Sequence, residues 1–133
     1  MRCLVTVCRV RPLTLHFALH NDAGVSSHVP RLLGPLGAFI SVAITNLRGE
    51  SVFKVDAPKT RLKLDPSRET SYFELEAGYS YGVVLDITEA LLAPGKYNLD
   101  IDYSNGPFQG TSSTPVGVLE YRVSLPLRVG GSM

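Results

Sequence analysis

An all-β domain, two antiparallel sheets packed face to face, is the fold class the sequence predicts, and three observations predict it. Apolar and polar residues alternate with period two along most of the 133 residues, the pattern of strands with one buried and one wet face. Turn signals rich in Gly, Pro, Asn and Ser interrupt that alternation at intervals of about ten residues. No stretch of helical periodicity is longer than residues 88–92. The length favours one domain over residues 1–129, and a chain of this size buries roughly two-thirds of its unfolded surface without covalent staples. Gly130, Gly131, Ser132 and Met133 read as a flexible tail.

The strands follow in order. The first covers residues 3–10. In the second, Leu13, Leu15, Phe17 and Leu19 point one way while Thr14, His16, Ala18 and His20 point the other. A long connection runs from Asn21 to Gly37. Residues 39–45 then set Ile40, Val42 and Ile44 in an inward row, and Asn46-Leu47-Arg48-Gly49 turns the chain into a hairpin partner at residues 51–55. A basic, Pro-punctuated stretch over residues 54–68 holds a short strand at 61–64. Another short strand spans 71–75, and Glu76-Ala77-Gly78 leads into residues 79–88, where Tyr79, Tyr81, Val83, Leu85 and Ile87 face the core. Tyr97, Leu99, Ile101 and Tyr103 oppose Asn98, Asp100 and Asp102. A loop over residues 104–115 precedes the last strand, in which Leu119, Tyr121, Val123, Leu125 and Leu127 alternate with Glu120, Arg122 and Ser124.

Between two of these strands stands Leu91-Leu92-Ala93-Pro94-Gly95-Lys96-Tyr97. A Pro-Gly corner followed by Tyr at the foot of a strand is how immunoglobulin-like sandwiches cross from one sheet to the other, the Tyr hydroxyl bonding to backbone upstream. The expected fold is therefore a single immunoglobulin-like antiparallel sandwich of about eight or nine strands, with Pro94, Gly95 and Tyr97 as its corner. Leu99 sits where antibody domains carry their second disulfide cysteine, with Phe17 or Leu15 as its partner across the core. The chain has no Trp, so burial alone holds that core.

Composition excludes several function classes. The net charge of +1 makes no field that would gather nucleic acid or an anionic membrane. No apolar run is long enough to span a bilayer, and the opening residues, broken by Arg9 and Arg11, do not make a signal peptide. The expected location is cytoplasmic, or the chain has lost a leader. Cys3 and Cys8, the two cysteines, stand on opposite faces of a strand and roughly 17 Å apart, beyond disulfide reach. One reads as a structural thiol and the other as incidental.

Metal and catalytic chemistry find little support. His16 and His20 share an outer strand face but are separated by roughly 13 Å, too far to hold one ion, so two solvated histidines are expected, with His16 near Asp86 on the neighbouring strand. Asn98, Asp100 and Asp102 read as a solvated acidic face salted by Arg122, because a flat strand cannot wrap a hard cation. Lys54, Lys59, Arg61, Lys63 and Arg68 read as a solvated loop without the interleaved aromatics that nucleic-acid binding needs. Tyr72, Tyr79 and Tyr81 make a weak carbohydrate platform. None of His16, His20 and His28 is followed by Glu, and neither a Gly-x-Ser-x-Gly elbow nor a phosphate-binding loop occurs. No metal, cofactor or enzyme activity is expected.

The order Leu15-x-Phe17-x-Leu19-x-Asn21, Gly34-Pro35-Leu36-Gly37, Ala57-Pro58-x-x-Arg61, Tyr72-x-x-Leu75-x-x-Gly78-x-Ser80, Asp86-Ile87-Thr88 and Pro94-Gly95-Lys96-Tyr97 resembles the β-sandwich domain that precedes the catalytic domain of deuterolysin-type (peptidyl-Lys) metalloendopeptidases. The resemblance covers about residues 13–103. The second half is also similar to the intracellular proteinase inhibitors, which share the run of strand, Leu-x-x-Gly-x-Ser, strand, Pro-Gly-x-Tyr. The zinc-binding His-Glu-x-x-His helix of the peptidases is absent. The resemblance implies a stand-alone accessory or inhibitory sandwich.

Function then centres on the connection from Asn21 to Gly37, which is longer and more apolar than strand connections usually are. It carries Val29, Arg31, Leu32, Leu33 and Leu36. Two roles compete: a lid folded over one end of the sandwich, or a loop that presents Arg31, Leu32, Leu33 and Leu36 to a partner. The function expected is non-enzymatic protein binding, with a protease as the most concrete partner. The alternatives are a structural or oligomerising sandwich and, third, an enzyme with a site no motif marks. A monomer or weak homo-oligomer is expected.

Overall fold

The computed structural model describes residues 1–34, 36–56, 68–105 and 119–130. Nine strands occur among them: β1 (Arg2–Val10), β2 (Leu13–His20), β3 (Ser27–Pro30), β4 (Ile40–Asn46), β5 (Ser51–Val55), β6 (Tyr72–Leu75), β7 (Ser80–Ile87), β8 (Gly95–Ser104) and β9 (Glu120–Val129). They form a three-stranded sheet in the order β1-β2-β7, a four-stranded sheet in the order β5-β4-β8-β9 and a small β3-β6 pair, all antiparallel. The expected short strand at 61–64, the basic residues Lys59, Arg61 and Lys63, and the tail from Gly131 lie outside the described residues.

Strand alternation is what packs the two large sheets into a sandwich. Leu13, Leu15, Phe17 and Leu19 of β2 are buried, as are Ile40, Val42 and Ile44 of β4 and Tyr97, Leu99, Ile101 and Tyr103 of β8, and all belong to one apolar cluster. Phe17 and Tyr103 stack across it with ring centres 5.4 Å apart. Such offset aromatic contacts add to the area term that drives the packing. Phe17 and Leu99 thus hold the core positions the sequence assigns them.

At the corner, Tyr97 is 9% exposed and its hydroxyl donates to the Ala93 carbonyl at 2.6 Å. Leu92 is buried just before it, and Gly95, with a φ of 155°, opens β8 against the Tyr97 ring. Residues 88–92 form a turn with no helix, and Leu91 points into solvent.

Several expectations require correction. The connection from Asn21 to Gly37 contains β3, which pairs with β6 from Ser27 opposite Leu75 to Pro30 opposite Tyr72. Tyr79 does not join the core row of β7, being 63% exposed in the turn before the strand, whereas Tyr81 and Val83 pack half-buried against the core and full burial starts at Leu85. Among the described residues β7 is an edge strand. His16 is a diagonal neighbour of Asp86 on the same sheet face and not its direct partner. The register sets His16 opposite Val84 and Thr14 opposite Asp86, and the Thr14 hydroxyl donates to that carboxylate at 3.1 Å. Tyr72 is buried, which removes it from any carbohydrate platform.

One glycine decides the spacing of β2 and β7. A Cβ on Gly82 would stand 2.6 Å from the Phe17 carbonyl oxygen and 2.9 Å from Nε2 of His16, so no larger residue fits there without moving backbone.

Candidate functional site

Asn21 starts the construction of the site. It is fully buried, its amide donates to the carbonyls of Val25 and Leu75 at 2.9 Å each, and its side-chain oxygen accepts from the Ala23 amide at 3.0 Å. Every polar atom of that side chain is used, as burial demands. The result is a turn that aims the chain along β6 as β3. Pro30 is the last residue of β3.

Arg31 is then tied down on several sides. Its backbone amide donates to the Ser71 carbonyl at 2.9 Å, its Nε to the Thr70 carbonyl at 2.8 Å and its Nη2 to the Tyr72 carbonyl at 3.3 Å. The Tyr81 hydroxyl donates to the Arg31 carbonyl, and the Tyr81 ring stacks on Phe73 at 4.7 Å between centres. The next two residues part company: Leu32 is 45% exposed and Leu33 is 2% exposed within the core. Gly34 lies against the Val83 side chain, Leu36 packs half-buried on the core, and the Gly37 amide returns to the Ile40 carbonyl at 2.8 Å.

Between this braced segment and β7 lies a cleft of about 390 Å³, walled by Arg31, Leu32, Leu33, Gly34 and Leu36 on one side and by residues 81–86 on the other. All four residues assigned to partner contact in the sequence thus border one cavity. They divide into two roles, Leu33 and Leu36 as lid, Arg31 and Leu32 as exposed rim. The opposite wall, β7, went unnoticed in the sequence. Its signal was compositional: Ser-Tyr-Gly-Val-Val-Leu-Asp-Ile has neither the Lys nor the Pro that commonly guards an exposed edge.

The remaining polar clusters are surface features. Arg122 Nε meets Asp102 at 2.7 Å, which raises the guanidinium pKa, and Ser124 donates to Asp100, so the acidic stripe of β8 is salted from β9. Lys54 pairs with Asp56 at 3.6 Å. Nδ1 of His20 and the hydroxyl of Ser80 lie 2.7 Å apart, the distance of a base and a nucleophile. They stand on an open sheet face with no third group to orient the ring among the described residues. No group of three or more His, Cys, Asp or Glu side chains among the described residues can hold a metal ion. Among the described residues no helix is long and apolar enough to cross a membrane. Cys3 and Cys8 are free thiols; Cys3 is half-buried and its pKa is raised by burial to about 11, while Cys8 is exposed at a bulge of β1.

No family model, no curated protein and no solved structure matches the chain.

Proposed function

We propose that the protein is a non-enzymatic protein-binding module that grips its partner at the cleft between residues 31–36 and β7, and that a protease is the partner class to seek first. The observation that carries this reading is the contrast between Leu32 and Leu33. Leu33 anchors the segment in the core, the bonds of Arg31 fix its entry, and Leu32 is held out to solvent beside a cavity. A rigid support that exposes one aliphatic side chain is what binding requires, since little ordering entropy remains to be lost. The guanidinium of Arg31 is engaged by two backbone carbonyls, so in an inhibitory version Leu32 enters the protease's main pocket and Arg31 braces it.

Two further features support an immunoglobulin-like reading of the sandwich. The three-stranded β1-β2-β7 sheet faces β5-β4-β8-β9 in the strand order of such domains, and the Tyr97 hydroxyl reaches back to Ala93 at the crossing in the manner of a tyrosine corner.

The test measures residual activity of serine, cysteine, aspartic and metallo-endopeptidases on fluorogenic substrates in the presence of wild type or Leu32→Asp. The reading predicts that at least one enzyme is inhibited and that Leu32→Asp weakens inhibition by about tenfold or more at an unchanged melting temperature. If no enzyme responds, the protease version fails. If proteins captured on wild type are also retained by Leu32→Asp, the binding site lies elsewhere.

A further inference from the structure

We propose that the cleft takes an extended apolar peptide as a strand added antiparallel to β7, with a basic residue at the peptide's N-terminal end and an acidic residue at its C-terminal end. This inference rests on the protein-binding reading above and adds the partner's conformation, direction and charge.

The shape of the cleft wall carries the first part. Residues 81–86 are consecutive, and all six line the cavity. Successive side chains of a strand point to opposite faces, so a wall built of consecutive residues is the backbone edge of the strand. Among the described residues β7 pairs with β2 alone, which leaves the N–H and C=O groups of alternate residues on its far side for another strand. Leu32 on one side of that edge and Val84, 56% exposed, on the other supply apolar contact for alternate side chains of a guest.

Charge carries the second part. The Arg31 guanidinium is held on the Thr70 and Tyr72 carbonyls, next along the chain to Phe73, whose ring stacks on Tyr81, so the cation lies toward the N-terminal end of β7. Its guanidinium donates to backbone carbonyls, and no described carboxylate forms an ion pair with it. Asp86 marks the other end, five residues on, or roughly 17 Å along an extended chain. A guest antiparallel to β7 begins beside Asp86 and ends beside Arg31. Every strand pair among the described residues is antiparallel, and that pairing is the more stable per residue. A cation at the guest's start and a carboxylate at its end therefore each meet the opposite sign, and the reversed charges each meet their own.

Two fluorescent heptapeptides of one composition, blocked at both ends, test this: Lys-Val-Thr-Val-Thr-Val-Glu and Glu-Val-Thr-Val-Thr-Val-Lys. Fluorescence polarisation at low salt is expected to show the first binding about tenfold tighter than the second. Asp86→Lys is expected to erase the preference, because both ends of the cleft then carry a cation. N-methylation of alternate residues of the first peptide is expected to abolish binding in one register and spare it in the other. Equal affinity of the two peptides for wild type, or binding that survives N-methylation in both registers, overturns the proposal. So does a stable dimer in sedimentation that neither peptide dissociates, since a second copy would then hold the edge. Loss of partner capture by Leu32→Asp would stand under any of these outcomes, which separates failure of this inference from failure of the binding reading.

Discussion

Strands β9 and β7 each finish a sheet, and they do so by different means. β9 presents Glu120, Arg122 and Arg128 outward, carries Pro126 opposite Asn98, and runs beside β1, where the Tyr121 hydroxyl donates to the Met1 carbonyl at 3.0 Å. Charges, a proline and a covering strand are the ordinary protections of a sheet edge. β7 has Asp86 as its single charge, no proline, and an exposed Val84. What lies near it is a segment that touches its inner side at Val83 and leaves a cleft along the edge itself. Among the described residues an eight-residue edge strand finished in that way is open to strand addition, and the difference between the flanks is the reason the proposed binding site is set at β7 and not at β9.

The largest effect that bears on this comparison is at the segment facing β7. Leu33→Ala is expected to lower stability by about 2–4 kcal/mol through loss of buried methyls and the cavity left behind, whereas Leu32→Ala stays within about 0.5 kcal/mol of wild type. Urea denaturation of both variants checks the pair. Equal losses would mean that Leu32 is part of the lid as well, and the cleft would lose its rim.

Next in size is the corner that joins the two flanks. Tyr97→Phe removes the donor to the Ala93 carbonyl and is expected to cost about 1–2 kcal/mol, read as a lower denaturation midpoint at unchanged slope. An unchanged midpoint would show that the bond contributes nothing to the crossing between sheets.

The smallest effect reports on the closed flank. Cys3 lies on β1 at the covered side, and burial raises its thiol pKa from 9.0 to about 11. A pKa raised on folding means that the native state holds the proton longer than the unfolded chain. The stabilisation is full below pH 9 and is lost as pH climbs toward about 11. Wild type is therefore expected to lose more stability than Cys3→Ala across that window, and at pH 8 a thiol reagent is expected to modify Cys8 quickly and Cys3 slowly. Equal reaction rates would mean that the β1/β9 flank is as open as the β7 flank.

The alternation that defines β2, β4, β8 and β9 is local and was legible in the sequence, as was the bond of the Tyr97 hydroxyl to the connection just before β8. β3 was not: four residues ending in Pro30 carry too short a pattern, and their partner, β6, lies far along the chain. The alternation at residues 79–88 marks the strand found at Ser80–Ile87, but that Tyr79 stays outside the core while Tyr81 packs against it is settled by where the strand starts. That Asp86 stands directly opposite Thr14 and only diagonal to His16 is a matter of register by two residues, which preserves every face and so leaves no trace in the hydrophobic pattern. At the site, sequence singled out Arg31, Leu32, Leu33 and Leu36, since apolar residues in a long connection demand an explanation. Which leucine is buried and which strand forms the facing wall are consequences of topology.

Amide hydrogen exchange of residues 80–87 by NMR, with and without saturating Lys-Val-Thr-Val-Thr-Val-Glu peptide, tests the edge most directly. Strand addition predicts that the amides of alternate β7 residues gain protection while those of β9 are unchanged. Protection of β7 that is the same with and without peptide, or gains confined to β9 or β5, would contradict the account.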